Sequence, residues 1–186
     1  TRKIMFKEIV LKIIQIITNP EAAWRKLKEH ENHESFINRY LHPVFGVISL
    51  TTFVGGLWLV ADGGLEIALK NTIISLVTVY GGYFIASYIL NELFPKFGMS
   101  KDESKVQQFV GFSSALVYAI FIVSPLLPNL PILWIFAIYT VYIVYMGFEV
   151  YITVEEEQRV NFTGVATTVI LLTPFIIKGI LSILIK

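Results

Sequence analysis

The chain is 186 residues long, 55% hydrophobic and only 16% charged, with a formal net charge of +1 and no cysteine. That charge balance excludes a globally basic nucleic-acid binder, and the missing thiols exclude thiolate nucleophiles, zinc–thiolate centres and structural disulfides. So apolar a composition belongs to a membrane protein rather than to a soluble domain with its usual quarter of charged residues.

The first 18 residues are apolar but interrupted. Lys3, Lys7, Glu8, Lys12 and Gln15 recur at near-helical spacing, with Ile4, Phe6, Ile9, Val10, Ile13, Ile14 and Ile17 between them. This pattern predicts a cationic amphipathic helix, either lying in the headgroup layer or packed on the protein's own cytoplasmic side. The charges also break any signal-peptide core, so the expectation is that the spans themselves direct insertion. Asn19-Pro20-Glu21 reads as an N-cap, an N1 proline and a first-turn acid, which starts a second helix. Trp24 on that helix is expected to anchor it at the membrane interface. Residues 1–41 therefore form a cytoplasmic or interfacial helical region, and 42–186 a transmembrane domain.

Five spans are predicted, at about 43–61, 71–91, 109–127, 130–154 and 160–185. The third and fourth share an unbroken run of 43 residues, Val106 to Phe148, without Asp, Glu, Lys or Arg. A crossing needs roughly 20 apolar residues, so this run holds two crossings with Pro125, Pro128 and Pro131 at the turn. Backbone groups cannot stay unpaired in hydrocarbon, and no barrel-type alternation is present, so the expected fold is an all-α, five-helix bundle. Gly55, Gly56, Gly81 and Gly82 mark close helix packing. With the N-terminus cytoplasmic, twelve of the fifteen Lys/Arg fall on the inner side and only Lys70 and Lys186 on the outer, Lys178 being intramembrane. The positive-inside rule thus predicts an inner N-terminus and, for five spans, an outer C-terminus.

From Phe97 to Thr168 the sequence resembles the bacterial branch of the Ypt-interacting protein (YIP) family of five-span membrane proteins. The likeness rests on the charged loop Lys101–Lys105, the Pro-Leu-Leu-Pro hairpin at Pro125–Pro128 and the Tyr-x-x-Tyr-x-x-Tyr-x-Gly run at Tyr139–Gly147. The acidic turn Glu155–Glu157 and the entry segment Ile17–Trp24 complete it. The resemblance implies a cytoplasmic N-terminal region ahead of a compact five-helix bundle in the bacterial inner membrane. Eukaryotic proteins similar to it bind small Rab-type GTPases, a role that does not carry over to bacteria. Ser113–Tyr118 lacks the proline that family members often carry in span three, so the sequence predicts no proline kink there.

The polar residues inside the spans are the candidate functional groups. An unpaired cation near the bilayer centre costs roughly 2.5–3.5 kcal/mol, so Lys178 needs relief. It either lines a substrate path, paired with Asp62 or Glu66, or snorkels to the outer headgroups. Pro174 removes a backbone donor one turn earlier and leaves the Ile170 carbonyl free. Glu149 and Glu92 either form a carboxylate site for a cation or proton, or pair at the cytoplasmic interface with Arg39, Lys96 or Arg159. Tyr139, Tyr142, Tyr145, Phe148 and Tyr151 recur every three residues, wrap round a helix and serve mainly as bundle contacts. His30, His33 and Glu34 offer two or three ligands on one face, too few for an expected metal site. Catalytic motifs, phosphate loops and paired intramembrane aspartates are absent from the sequence, so neither an enzyme nor a cofactor is expected. Two functions follow. The first is a non-enzymatic protein of membrane organisation or a partner-binding scaffold, engaging the bilayer, itself or another membrane protein. The second is a transporter or channel-like protein moving lipid, solute or ion along a groove of Lys178, Tyr145 and Glu149.

Overall fold

The computed structural model describes residues 2–30, 32–60, 63–127 and 130–185, with the side chains of 2–6 and 30 left out. Readings that rest on Lys3, Ile4 and Phe6, on the His30 side chain or on Asp62 lie outside the described residues. Every regular element among the described residues is helical. In chain order they are α1 (Arg2–Thr18), α2 (Pro20–His30), α3 (His33–Trp58), α4 (Leu65–Phe97), α5 (Glu103–Ser113), α6 (Ala115–Leu126), α7 (Pro131–Ile152) and α8 (Glu156–Leu184).

Four of these, α3, α4, α7 and α8, are each long and apolar enough to cross a membrane. The α5–α6 pair passes the same test jointly, bent by 46°. A bend is therefore present without a proline, and it falls at Ser113–Ser114. Ser114 leaves helical backbone angles (φ −80°, ψ 3°), and its hydroxyl donates to the Val110 carbonyl at 2.8 Å. A hydroxyl that bonds back to the i−4 carbonyl competes with the helical ladder and favours a bend where the backbone already leaves it.

Helix boundaries follow local chemistry. Asn19 Oδ1 accepts from the Ala22 N–H at 3.2 Å, the cap expected at the start of α2. Asn32 caps α3 through the Ser35 N–H at 2.7 Å, and Asp102 caps α5 through the Lys105 N–H at 3.0 Å. The α3 cap moves the first long helix some ten residues upstream of the expected span, through a π-helical turn at Ile37–Leu41. In α7 the first nine residues, Pro131–Tyr139, wind as a 3-10 helix. Three residues per turn align Ile132, Ile135 and Ile138 on one outward face, each more than half exposed.

The core runs through all the helices, α1 and α2 included. Helix α4 is central and packs along both α3 and α8. Glycine permits the closest approaches: a Cβ on Gly56 would lie 2.7 Å from the Ala68 Cα, and one on Gly82 3.1 Å from the Pro174 ring. The outward surface is apolar, as Leu65, Leu69, Ile73 and Val77 on α4 show at one-turn spacing. That surface suits hydrocarbon rather than water.

Of the two placements expected for α1, the structure shows the one packed on the protein itself, while its apolar pattern and Trp24 of α2 depart from expectation. Ile9, Ile13 and Ile16 of α1 are buried against the bundle, whereas Val10, Leu11 and Ile14 are about half exposed (50, 52 and 48%). Apolar side chains thus occupy two faces of α1, not one. Trp24 is no interfacial anchor: it is fully buried, and its indole N–H donates to the Ile143 carbonyl of α7 at 3.0 Å. A buried indole needs such an acceptor, and a helix carbonyl has a second lone pair to supply it.

Candidate functional site

The sequence-predicted polar residues fall in three separate places. Lys178 lies toward the C-terminal end of α8 and lines a pocket of about 280 Å3 at the end of the bundle away from α1 and α2. Thr52 of α3, Asn71 and Ser75 of α4, Ser124 at the end of α6 and Ser182 face the same pocket. Thr52 donates to Ser75 Oγ at 3.3 Å, which ties α3 to α4 beside it. Lys178 has no acidic partner among the described residues, and Glu66 is exposed and forms no bridge with it. The Lys178 side chain is exposed and shares the pocket with these neutral hydroxyl and amide groups, and a long lysine stem of this kind can carry its ammonium toward the polar end of the bundle.

Glu149 and Tyr145 sit at the other end, together with Arg159. The Arg159 guanidinium lies 3.4 Å from Glu149 Oε2, donates to the Val154 carbonyl at 3.4 Å and covers the Tyr145 ring at 5.6 Å. The carboxylate thereby neutralises an arginine whose side chain is only 17% exposed. This pair is one of the three expected for Glu149. Glu149 also borders an open cleft with Arg25, Lys28 and Glu29.

Glu92 stands apart on the surface. Both of its oxygens accept from Lys101 Nζ at 2.6 Å, a partner the sequence did not suggest. Asn91 Oδ1 accepts from the Asp102 N–H at 3.1 Å, so the two neighbours pin the loop between α4 and α5. His33 Nε2 donates to Gln107 Oε1 at 2.7 Å, and Gln107 in turn donates to Glu103, which commits this histidine to joining α3 and α5. Among the described residues no group of three His, Cys, Asp or Glu side chains could hold a metal ion.

Around Tyr83, Tyr118, Gly82 and Pro174 the free space is about 10 Å3. A single water needs roughly 10–15 Å3 of such space and several polar partners, so this gap is at most marginal for one. Nearer α1 and α2 a continuous aromatic seam closes the bundle: Phe162 stacks on Phe148 (4.5 Å), Phe148 on Phe109 (4.5 Å), and Phe109 on Trp24 (5.6 Å). Phe112 extends it to Phe36 (4.9 Å) and Tyr40 (4.7 Å). Lys28 completes the docking of α2 by donating to the Val150 carbonyl at 2.9 Å and to Thr153 Oγ1 at 3.3 Å. Sequence reasoning missed Lys28 and the role of Trp24, since their acceptors lie about 120 positions away in the chain.

The chain is matched over residues 14–185 by the family model described as Yip1 domain. The chain belongs to the Yip1 domain family. The match covers α2 to α8 and the last turn of α1, so the helices bearing Trp24 and Lys28 fall inside the Yip1 domain. Comparison with curated proteins and with solved structures returns no match. The protein is accordingly a Yip1-family membrane protein with transmembrane helices.

Proposed function

We propose that this Yip1-family protein is a non-enzymatic component of membrane organisation, acting as a scaffold that binds itself or another membrane protein within the bilayer. The observation that carries this reading is the separation of its intramembrane polar groups. Lys178 belongs to one end, Tyr145 and Glu149 to the other, and the gap around Tyr83 and Tyr118 between them is only about 10 Å3. A conducting groove would need these groups on one wetted path. What the bundle offers instead is broad apolar surface, such as the Leu65–Val77 stripe and the Phe175, Ile176 and Ile180 patch on α8. In lipid, such surfaces associate by van der Waals packing and by small or polar contacts.

The same proposal includes five crossings, with α5 and α6 together forming the bent third. It places the α1–α2 end in the cytoplasm of a bacterium and the C-terminus beyond its inner membrane. The lysine and arginine distribution supports this orientation.

Photo-crosslinking from Ile73 and Ile176 in intact membranes tests the scaffold reading. The expected result is a reproducible protein adduct, homotypic or with one membrane partner. Lipid adducts alone, together with a proteoliposome flux that disappears in a Lys178→Met/Glu149→Gln variant, would replace it with the transport reading.

A further inference from the structure

Helices α1 and α2 and the first turns of α3 enclose a groove of about 390 Å3. Its chemistry is set by one cation from each helix: Lys12, Lys26 and Arg39. Glu8 is the one carboxylate among the described lining residues, so the groove is net positive. Gln15 and Ser35 add neutral donors.

The cations are held in place differently. The Lys12 ammonium lies 5.9 Å from the centre of the Tyr40 ring and 5.5 Å from that of Phe112, and both rings are fully buried. An aromatic floor of this kind attracts the ammonium and restricts where it sits. Arg39 projects from the π-helical turn Ile37–Leu41, a local distortion that re-aims side chains and recurs at functional sites. Lys26 is exposed on α2 and faces the groove from the opposite wall.

The rim is equally informative. Leu11 lines the groove and is itself 52% exposed, and it continues into the exposed apolar strip of Val10 and Ile14 on α1. A cationic pocket therefore opens directly beside an unpacked hydrophobic strip. Those two features match the two halves of an anionic phospholipid, a phosphate and an acyl chain.

We propose that this groove is a binding site for a phosphate-bearing anion, seated between Lys12, Lys26 and Arg39. Arg39 suits two phosphate oxygens at once through its planar fork, and the lysines act as point charges on the remainder. The phosphate comes either from the headgroup of an anionic phospholipid or from soluble phosphate, and the Leu11 rim favours the lipid. The site goes beyond the scaffold reading and does not depend on it.

The test uses the full chain in detergent micelles, titrated with phosphatidylglycerol, phosphatidylcholine or inorganic phosphate and read by native mass spectrometry. Retention of phosphatidylglycerol well above phosphatidylcholine identifies the lipid source. Phosphate adducts with no preference between the two lipids identify the soluble source. A Lys26→Gln/Arg39→Gln variant, which changes only exposed side chains, should weaken binding by about tenfold or more, since each basic residue contributes roughly 1 kcal/mol toward an anionic surface. Lys26→Arg/Arg39→Lys should restore it, and Lys70→Gln/Lys96→Gln, which removes the same charge elsewhere, should leave it unchanged. Equal retention of both lipids with no phosphate adduct would overturn the proposal. So would an unaltered affinity in the Lys26→Gln/Arg39→Gln variant.

Discussion

The two ends of the bundle are built from the same kinds of residue and packed to different standards. At the α1–α2 end, Trp24, Phe36, Tyr40, Phe109, Phe112, Phe148 and Phe162 are all essentially inaccessible. At the other end Trp58 is 73% exposed, Ile132 65% and Ile183 72%, and an unbridged lysine shares its pocket with hydroxyls. A bilayer explains how both can be stable. Lipid solvates an exposed Trp58 or Ile183 as well as a protein core does, so only groups that need polar partners or dense packing must be enclosed. The α1–α2 end encloses the Trp24 indole and most of Arg159, which donate to the Ile143 and Val154 carbonyls, whereas Lys178 at the far end stays exposed.

The sharpest way to break this contrast is to remove one tryptophan at a time. Trp24→Ala should lower stability by about 3–5 kcal/mol, because it empties a packed site and leaves an aromatic seam unsupported. Trp58→Ala should change it by less than about 0.5 kcal/mol. Thermal unfolding in detergent, followed by circular dichroism, distinguishes the two, and equal losses would erase the difference between the ends.

Glycine substitutions give the next largest effect. A Cβ on Gly147 would lie 2.7 Å from Phe109 and 2.9 Å from Trp24, while one on Gly164 meets nothing within 4 Å. Gly147→Ala should cost about 1–3 kcal/mol by overpacking. Gly164→Ala should instead gain about 0.5–1 kcal/mol, because the unfolded chain has less backbone entropy to lose on forming the helix. The same melts report both.

Thr153 ends α7 in the left-handed region (φ 66°), an unfavourable conformation for a β-branched residue. Thr153→Gly should raise the melting temperature, since it relieves roughly 1 kcal/mol of backbone strain while Lys28 keeps its bond to the Val150 carbonyl. A lowered melting temperature would mean that the Lys28–Thr153 contact matters more than the strain.

The smallest effect belongs to Glu92→Gln. Its bridge to Lys101 is nearly half exposed on both sides, and exposed pairs contribute about 0–1 kcal/mol. Mutating both partners in a double-mutant cycle should return a coupling energy in that range.

The parts of the fold legible in the sequence were those a bilayer enforces. The uncharged run from Val106 to Phe148 had to be helical and long enough to turn back, and the N-cap at Asn19 had a local signature. The bend at Ser114 was not legible from the missing proline, because the backbone leaves helical angles there without one. Trp24 was misread for a physical reason. Arg25, Lys26 and Lys28 around it suggest a headgroup environment, and nothing local reveals that Ile143 offers it a carbonyl. The candidate site was legible residue by residue but not as an arrangement. Glu149 with Arg159 was among the pairs expected, whereas the Lys178 pocket needs residues from five helices to come together. The groove of Lys12, Lys26 and Arg39 had one available signal, a basic residue on each of three consecutive helices beside an aromatic.

The central claim is that α1 and α2 are built into the bundle and close its end. Because the chain has no native cysteine, single-cysteine spin labels can be placed along α1 without background. In a bilayer, labels at Ile9, Ile13 and Ile16 should be immobilised, and those at Val10, Leu11 and Ile14 mobile. Uniform mobility along the helix would contradict the account, because it would mean that α1 lies free on the membrane surface.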